Sequence, residues 1–569
     1  MRRKLIRTAL IIGLLIALMT PLAAGLSRIQ GDIEQNDAKH VVEPMLRLYA
    51  QNPASCADIP VDAVMDIESV WEIEDTRSEA QEPLVVSMRN GGDVLGYDEE
   101  SSTFYCSIGL DFQEEAWPEI ELYVQAKDES VPLKASFVDD YSYDYPSESV
   151  HDGYRYELLA YTDDEYQYFG IVYTGLPIVT LHAETEIGEE YVPAFVSVSS
   201  AQHEPVASMA QAHERGGGYV LRTGKYSYRI EFQEITQTGR SKAHDISLLG
   251  MEPDSDWLLI ANAKDSRCVL NHLAFNMWNN WIEEEHAFMK LETRMVEVFL
   301  DNEYKGLFQL MQRHDTQKEI VDSGGSLATD YCVRLVSPFN TGDLPIRGVS
   351  NKRSIHVECR YAPANQYDRA FELFENYSRM SEWLDEERIS DEEFIRISQE
   401  CMDVESFVSY FLFHLMVGLT DDNIANNVFY YILNEDGKML MHPAPWDMDW
   451  AFFYGYFNEE PTSEKRFDFG TIPVVRMLDL NVMNSRQTLH DMYRELRETV
   501  ISEEAVTRWI KTTEQEIDAS GAYLRDSEKW RGEASAFSLE DMLNYEIVQA
   551  EIIGDLIERR WPLEPAQQE

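Results

Sequence analysis

Two acidic clusters separated by a hairpin are the residues of this chain best suited to chemistry. Asp421 and Asp422 are followed by Asn426 and Asn427, with four residues between Asp422 and Asn427. Val428 to Leu433 is rich in β-branched and aromatic residues and predicts a strand, Asn434-Glu435-Asp436-Gly437 a turn, and Lys438 to His442 the return strand. Pro445-Trp446-Asp447-Met448-Asp449-Trp450 comes directly after. Acids and a carboxamide set out in this way can hold Mg²⁺ on phosphate oxygens and take a proton from an attacking hydroxyl. Phosphoryl transfer asks little more of a protein. Asp421 and Asp422 compete for the proton-accepting place, and the spacing to Asn427 favours Asp422. A D-x-D pair such as Asp447 and Asp449 also serves metal-dependent glycosyltransferases, and it is equally compatible with a solvated turn.

The elements that must position these residues are legible in outline. Val404 to Leu419 reads as an apolar helix running straight into the first acidic cluster, and Ser390 with Glu393 starts the helix before it. The closing helix is expected from Ser538 to Trp561. Upstream, strands are expected at Ile178 to Leu181, Tyr191 to Val198 and Tyr226 to Phe232, where Tyr226, Tyr228, Ile230 and Phe232 share one face and Ser227, Arg229, Glu231 and Lys225 the other. A helix follows from about Arg267 to Ile282, then a hairpin of Arg294 to Leu300 and Gly306 to Met311. Arg215-Gly216-Gly217-Gly218 is either a phosphate-cradling nest or a plain flexible turn. A β-rich half followed by a helical half that carries Asp, Asn, hairpin and Asp is the order protein kinases use.

Residues 83–174 carry short alternating strands, from Leu84 to Met88 through Tyr166 to Tyr173, and predict a β-sandwich. Residues 31–82 read as an acidic linker with a short helix at Pro44 to Tyr49, and 175–562 as the catalytic unit. Arg2, Arg3, Lys4 and Arg7 precede an apolar run from Thr8 to Leu26, so residues 1–30 are expected to be a signal peptide or signal anchor that places the body outside the cytoplasm. With 48 basic and 102 acidic residues the formal net charge is −54. That field opposes nucleic acid and anionic lipid as partners, leaving the membrane to the N-terminal segment, and a nucleotide site has to overcome it with local cations. Six cysteines without a C-x-x-C pair argue against zinc and for buried thiols; a Cys56–Cys106 disulfide is permitted.

Four segments resemble the CotH kinase family, the relatives of spore coat protein H. They are Lys225-Tyr226-Ser227-Tyr228-Arg229-Ile230; Trp257 to Asn262 with Asp265; Val296-Glu297-Val298-Phe299-Leu300-Asp301-Asn302-Glu303-Tyr304-Lys305-Gly306-Leu307-Phe308; and Asp422, Asn426-Asn427 and Trp446-Asp447 with Asp449. The resemblance implies an α+β, atypical protein-kinase-like two-lobe domain preceded by the sandwich. It further implies ATP and Mg²⁺ (or Mn²⁺) as cofactors and a serine-containing protein of the cell surface or spore coat as substrate. Under it Asp422 is the catalytic-loop acid, Asn427 a metal ligand, Asp447 the principal Mg²⁺ ligand and Asp449 a supporting one; Lys225, Arg215 and Arg229 are the nucleotide contacts. The chain departs from the family pattern at Gln312, where a Glu is usual, at Leu270, where an Arg precedes Asn271, and at Gly218, where the turn carries a serine. A catalytically weak pseudokinase acting as a surface adhesin or ligand-binding protein is the alternative.

Overall fold

The computed structural model describes residues 59–563 apart from several internal segments; 1–58, 217–222, 419–427, 450 and 453–472 are among those outside it. Asp421, Asp422, Asn426, Asn427, Cys56, the export segment and the Pro44 to Tyr49 helix therefore lie outside the described residues. The chain is α+β, with three sheets in sequence order and most of its helix after residue 366.

The first sheet has ten strands: β1 (Ile59–Asp62), β2 (Ser78–Glu79), β3 (Val85–Asn90), β4 (Asp93–Val94), β5 (Gly96–Asp98), β6 (Thr103–Ser107), β7 (Leu122–Ala126), β8 (Lys134–Phe137), β9 (Arg155–Tyr161) and β10 (Glu165–Thr174). Helix α1 (Ile67–Thr76) begins at Asp66, whose side chain accepts from the Ser69 amide; α2 spans Pro146–His151. β1 pairs antiparallel with β7 and parallel with β8, so it joins two wings. Met88 and Val124 from one wing share a core with Leu158 and Ile171 from the other. The region expected to be linker thus supplies a central strand. Four residues in an acidic stretch are too few to show a period, which is why alternation missed them.

The second sheet closes on itself. It contains β11 (Ile178–Ala183), β12 (Val192–Ser200), β13 (His203–Arg215), β14 (Ser227–Ile235), β15 (Ser241–Ala243), β16 (Asp256–Ile260), β17 (Thr293–Leu300) and β18 (Glu303–Gln312). β13 pairs with β14, and β11 with β17 in parallel, so all strands except β15 form a barrel wall. Closure removes the free edges an open sheet would present. Alternate residues fill the interior, among them Leu181, Tyr228, Ile230, Phe232, Val298 and Phe308. Arg229, between Tyr228 and Ile230, points outward as alternation requires. Lys225 does not follow that pattern, because β14 begins only at Ser227 and Gly224 turns the chain with φ 72°.

Helix α3 (Leu270–Trp281) packs on the outside of β17. Asp265 caps it, accepting from the amides of Arg267, Val269 and Leu270. After α4 (Thr316–Asp322) comes a five-stranded sheet of β19 (Tyr331–Val336), β20 (Arg347–Gly348), β21 (His356–Tyr361), β22 (Phe429–Glu435) and β23 (Lys438–Ala444). The helices α5 (Tyr367–Met380), α6 (Asp391–Cys401), α7 (Val404–Val417), α8 (Pro473–Asp479), α9 (Ser485–Glu498), α10 (Glu503–Ala519), α11 (Ala522–Trp530) and α12 (Leu539–Arg560) complete the chain. Ser390 caps α6 through the Glu393 amide as expected, and Gly418, at φ 51°, ends α7 where the acidic segment begins. α7 is buried all round, in the largest hydrophobic core of the molecule. Cys106 and Cys401 are buried free thiols among the described residues, and Cys56, the other half of the permitted bridge, lies outside them. No helix among the described residues is long and apolar enough to cross a membrane.

Candidate active site

The β22–β23 hairpin delivers the second acidic cluster. Its strands pair from Phe429 with Ala444 to Glu435 with Lys438, and the chain then leaves as Pro445 to Asp449. His314, just past the end of β18, lies 3.3 Å from the Pro445 carbonyl oxygen through Nε2, and its ring lies 5.5 Å from Trp446. Trp446 is buried against Phe429 at 5.6 Å, the core anchor its size suggests. The Met448 side chain is fully buried and its amide donates to Asn271 Oδ1 at 2.8 Å. The Phe452 amide donates to the Val417 carbonyl, tying this loop to the end of α7. Between two buried neighbours Asp447 is exposed, with φ 60°, and Asp449 is half-buried. The loop is therefore fixed from both sides while Asp447 stays solvent-exposed.

Facing that loop is an unusual concentration of positive charge. Arg215, the last residue of β13, lies 5.9 Å from the Trp446 ring; Arg334 of β19 lies 5.5 Å from the same ring and 5.5 Å from Phe429. Burial pushes the Arg215 guanidinium down to about 10, although the Asp447 carboxylate opposes the shift; Arg334, Arg313 and Arg229 push it further down. Arg334 is lowered by burial too, again against the pull of Asp447 and of Glu358. Burial raises the Glu358 carboxyl, and Arg334 and Arg313 partly offset it. Arg313 and Arg229 are held by one carboxylate, Asp256, at 2.7 and 2.6 Å, and Arg229 also pairs with Glu231. Burial disfavours the charge of Arg229, but these acids more than restore it. In a chain of formal charge −54, Arg215 and Arg334 beside the exposed Asp447 are a local concentration of positive charge suited to an anion, while Arg313 and Arg229 add to the field but are already paired with Asp256 and Glu231.

Lys225 is placed elsewhere. It is 1% exposed, with Nζ 2.5 Å from Asp526 Oδ1 of α11 and 2.7 Å from the Leu307 carbonyl oxygen. Its ammonium is thus occupied by protein oxygens and is not turned to a phosphate. Glu297 makes the companion pair, receiving Arg525 Nε at 2.9 Å and Nη2 at 2.8 Å together with the Tyr304 hydroxyl at 2.7 Å. Gly306, with φ 104°, completes the seat: a Cβ there would stand 2.3 Å from Asp526 Oδ1. Two of the four residue segments singled out in the sequence therefore include barrel residues that clamp the C-terminal helix α11.

Of the predicted residues, the structure brings Arg215 beside the Trp446–Asp447 loop, pairs Arg229 with Asp256 and Glu231 on the outside of the barrel, and buries Lys225 against Asp526. Arg313, Arg334 and Asn271 were missed. Asn271 had a signal, since it follows a helix cap and lies within a segment the family shares; the two arginines had none. Two of the three departures have their own structural settlement; Gly218 lies outside the described residues. Leu270 is fully buried in the core, and Gln312 Nε2 donates to the Glu252 carbonyl at 2.8 Å, a bond a carboxylate could not make.

Among the described residues no group of three or more His, Cys, Asp or Glu side chains is placed to hold a metal ion. Asp447 and Asp449 nevertheless fit the way Mg²⁺ is commonly held at phosphate sites, by one or two carboxylates with phosphate oxygens and water completing the shell. Arginines on one side and carboxylates on the other are what a metal–triphosphate needs. No curated protein matches the chain. The family model described as CotH kinase protein matches residues 213–560, from the end of β13 through α12. That covers more than half of the chain, which belongs to the CotH kinase family.

Proposed function

We propose that this protein is an exported, ATP- and divalent-metal-dependent protein kinase that transfers the γ-phosphoryl group to serine hydroxyls of a surface or coat protein. The barrel serves as one lobe and the five-stranded sheet with its helices as the other. The observation that carries this reading is the arginine cluster facing the exposed Asp447 in an otherwise strongly acidic molecule. Arg215 and Arg334 hold the phosphates by charge-assisted contacts, which are stronger where water is excluded. Asp447 and Asp449 hold Mg²⁺, which when bound neutralises charge on the phosphate oxygens. Asp422 takes the proton of the attacking serine and Asn427 supports the metal, both from the segment that follows α7. The apolar run after Arg2, Arg3, Lys4 and Arg7 places the body outside the cytoplasm, attached to the membrane only at the N-terminus where the run is kept.

The test is incubation of the purified protein with labelled ATP and Mg²⁺ or Mn²⁺. Label is expected in the protein itself and in added acceptor proteins, and is expected to vanish with Asp422→Asn. Binding of ATP without transfer would favour the second reading, a pseudokinase used as a surface adhesin. One observation bears on that alternative: the Lys225 ammonium is buried between Asp526 and the Leu307 carbonyl oxygen. Absence of both binding and transfer would remove the kinase reading.

A further inference from the structure

We propose that Asn271 is the positioning residue for the Asp447–Asp449 pair and acts through the amide of Met448; this rests on reading the pair as the metal-holding end of the phosphoryl-transfer site. Asn271, the second residue of α3, is 4% exposed. Its Oδ1 accepts from the Met448 amide at 2.8 Å, and its Nδ2 donates to Gln309 Oε1 at 2.8 Å. Gln309 is fully buried in β18, and the same Oε1 also receives Asn262 Nδ2 at 3.3 Å. Asn262 Nδ2 in turn donates to the Cys268 carbonyl at 3.0 Å. With both neighbours donating to the Gln309 oxygen, the Asn271 carboxamide has one workable orientation, nitrogen towards the barrel and oxygen towards the loop. Asp265 fixes the start of the helix that carries it.

The peptide held in this way is the one between Asp447 and Met448, so it sets the backbone from which one carboxylate springs and leads to the other. Asp447 sits at φ 60°, a conformation that a residue with a Cβ holds only where its surroundings impose it. On the other side of the same residue, the Met448 carbonyl accepts from the Ala451 amide at 3.1 Å. Without the Asn271 oxygen the buried amide loses this acceptor, and the peptide is released to turn towards another one. Both carboxylates would turn with it. The family likeness of the Asp265-to-Asn271 segment then has a physical content: one end caps the helix and the other aims the acids.

Two measurements on the full chain test this. The first is residue-resolved hydrogen exchange at Met448 without metal or nucleotide; the second is Mn²⁺ titration by electron paramagnetic resonance with ATP present. Asn271→Ala is expected to speed exchange at Met448 about tenfold. It should weaken Mn²⁺ binding about tenfold, the order found for groups that orient metal ligands. Core amides such as that of Ile432 should be unaffected. Asn271→Asp keeps the acceptor, and Gln309 Nε2, which has no partner in the structure, can turn to meet the new carboxylate. That variant should return Met448 exchange towards the wild-type rate. Unchanged Met448 exchange in the alanine variant, unchanged Mn²⁺ affinity, or equal acceleration at every core amide would each overturn the proposal. If the alanine variant does not fold, Asn271→Ser supplies the same comparison. Wild-type protein that binds no Mn²⁺ would bring down the metal-site reading and the positioning role with it. That outcome differs from a wild type that binds and a variant that binds equally well.

Discussion

Arg215 and Lys225 stand at either end of the segment joining β13 to β14, and the fold treats them oppositely. Lys225 is enclosed with Asp526, while Glu297 of β17 is enclosed with Arg525, the residue before Asp526 on α11. Each pair is completed by further hydrogen bonds: Lys225 donates to the Leu307 carbonyl, Arg525 to the Thr174 hydroxyl, and the Tyr304 hydroxyl to Glu297. Arg215, by contrast, is desolvated beside Trp446 and forms no ion pair among the described residues, and Arg334, Arg313 and Arg229 add to its positive surroundings. A buried pair contributes little net stability but is costly to break. A desolvated cation without an ion pair of its own is a cost to the folded state that an arriving anion would offset. The first arrangement is architecture, and the second is the one the proposed function takes as its anion site.

The largest effect expected is at the acid facing the arginines. Asp447→Ala should remove measurable phosphoryl transfer, a loss of about three orders of magnitude or more, since several kcal/mol of charge stabilisation goes with the metal. Because Asp447 is exposed, its melting temperature should stay within a degree or two of wild type, roughly the spread of neutral surface substitutions. Near wild-type turnover in the mutant would take Asp447 out of the chemistry.

Next comes the clamp. Lys225→Met leaves the Asp526 carboxylate buried without its cation and should cost ~3–5 kcal/mol in denaturant unfolding. Replacing both partners, Lys225→Met with Asp526→Leu, should recover a good part of that loss. Affinity for ATP in the refolded double variant should match wild type. A selective loss of ATP binding in the double variant would return Lys225 to the phosphates and erase the contrast with Arg215.

Arg215→Met makes the same kind of change with the opposite expected sign. The apolar stem still packs on Trp446, and a desolvated guanidinium is removed, so stability should hold or rise slightly. Nucleotide affinity should fall about tenfold, or ~1.4 kcal/mol, and its salt dependence should flatten. If Arg215→Met and Lys225→Met both destabilise by similar amounts, the cluster is structural and the anion site loses its main support.

Much of this contrast was beyond the reach of the sequence, for a specific reason. Alternation identified β9, β10, β14, β17 and β18 closely, because a half-buried strand writes its period into neighbouring residues. The helix cap at Ser390 and the β22–β23 hairpin are local in the same sense, whereas the helix read as Val404 to Leu419 stops at Val417, with Gly418 in the left-handed conformation as its cap. Lys225 and Asp526 are 301 positions apart, and Glu297 and Arg525 are 228 apart, so no spacing could show which charges would be paired. Barrel closure through β11 with β17 is equally non-local. A lysine in a shared segment thus read as a phosphate contact, whereas Arg313 and Arg334, which carry much of the cleft's charge, had no local mark at all.

The smallest effect concerns a charge that belongs to neither class. Glu516 lies on α10, where burial raises its carboxyl from the usual 4.5 to about 7, with Arg294 acting weakly in the other direction. It is neither enclosed with a strong partner, as Glu297 is, nor open to a ligand, as Asp447 is. In the folded state it keeps its proton up to about pH 7, while in the unfolded chain it gives it up near 4.5. Between those values the folded state binds more protons, so stability falls as pH rises; its contribution is fully present below the lower value and is lost by the upper one. The slope from one group is at most ~1.4 kcal/mol per pH unit. Glu516→Gln cannot ionise and should flatten this part of the stability profile, read by denaturant unfolding at each pH. Parallel wild-type and mutant curves from pH 4.5 to 7 would show that Glu516 is ionised in the folded protein, held by Arg294 as a pair like those of the clamp.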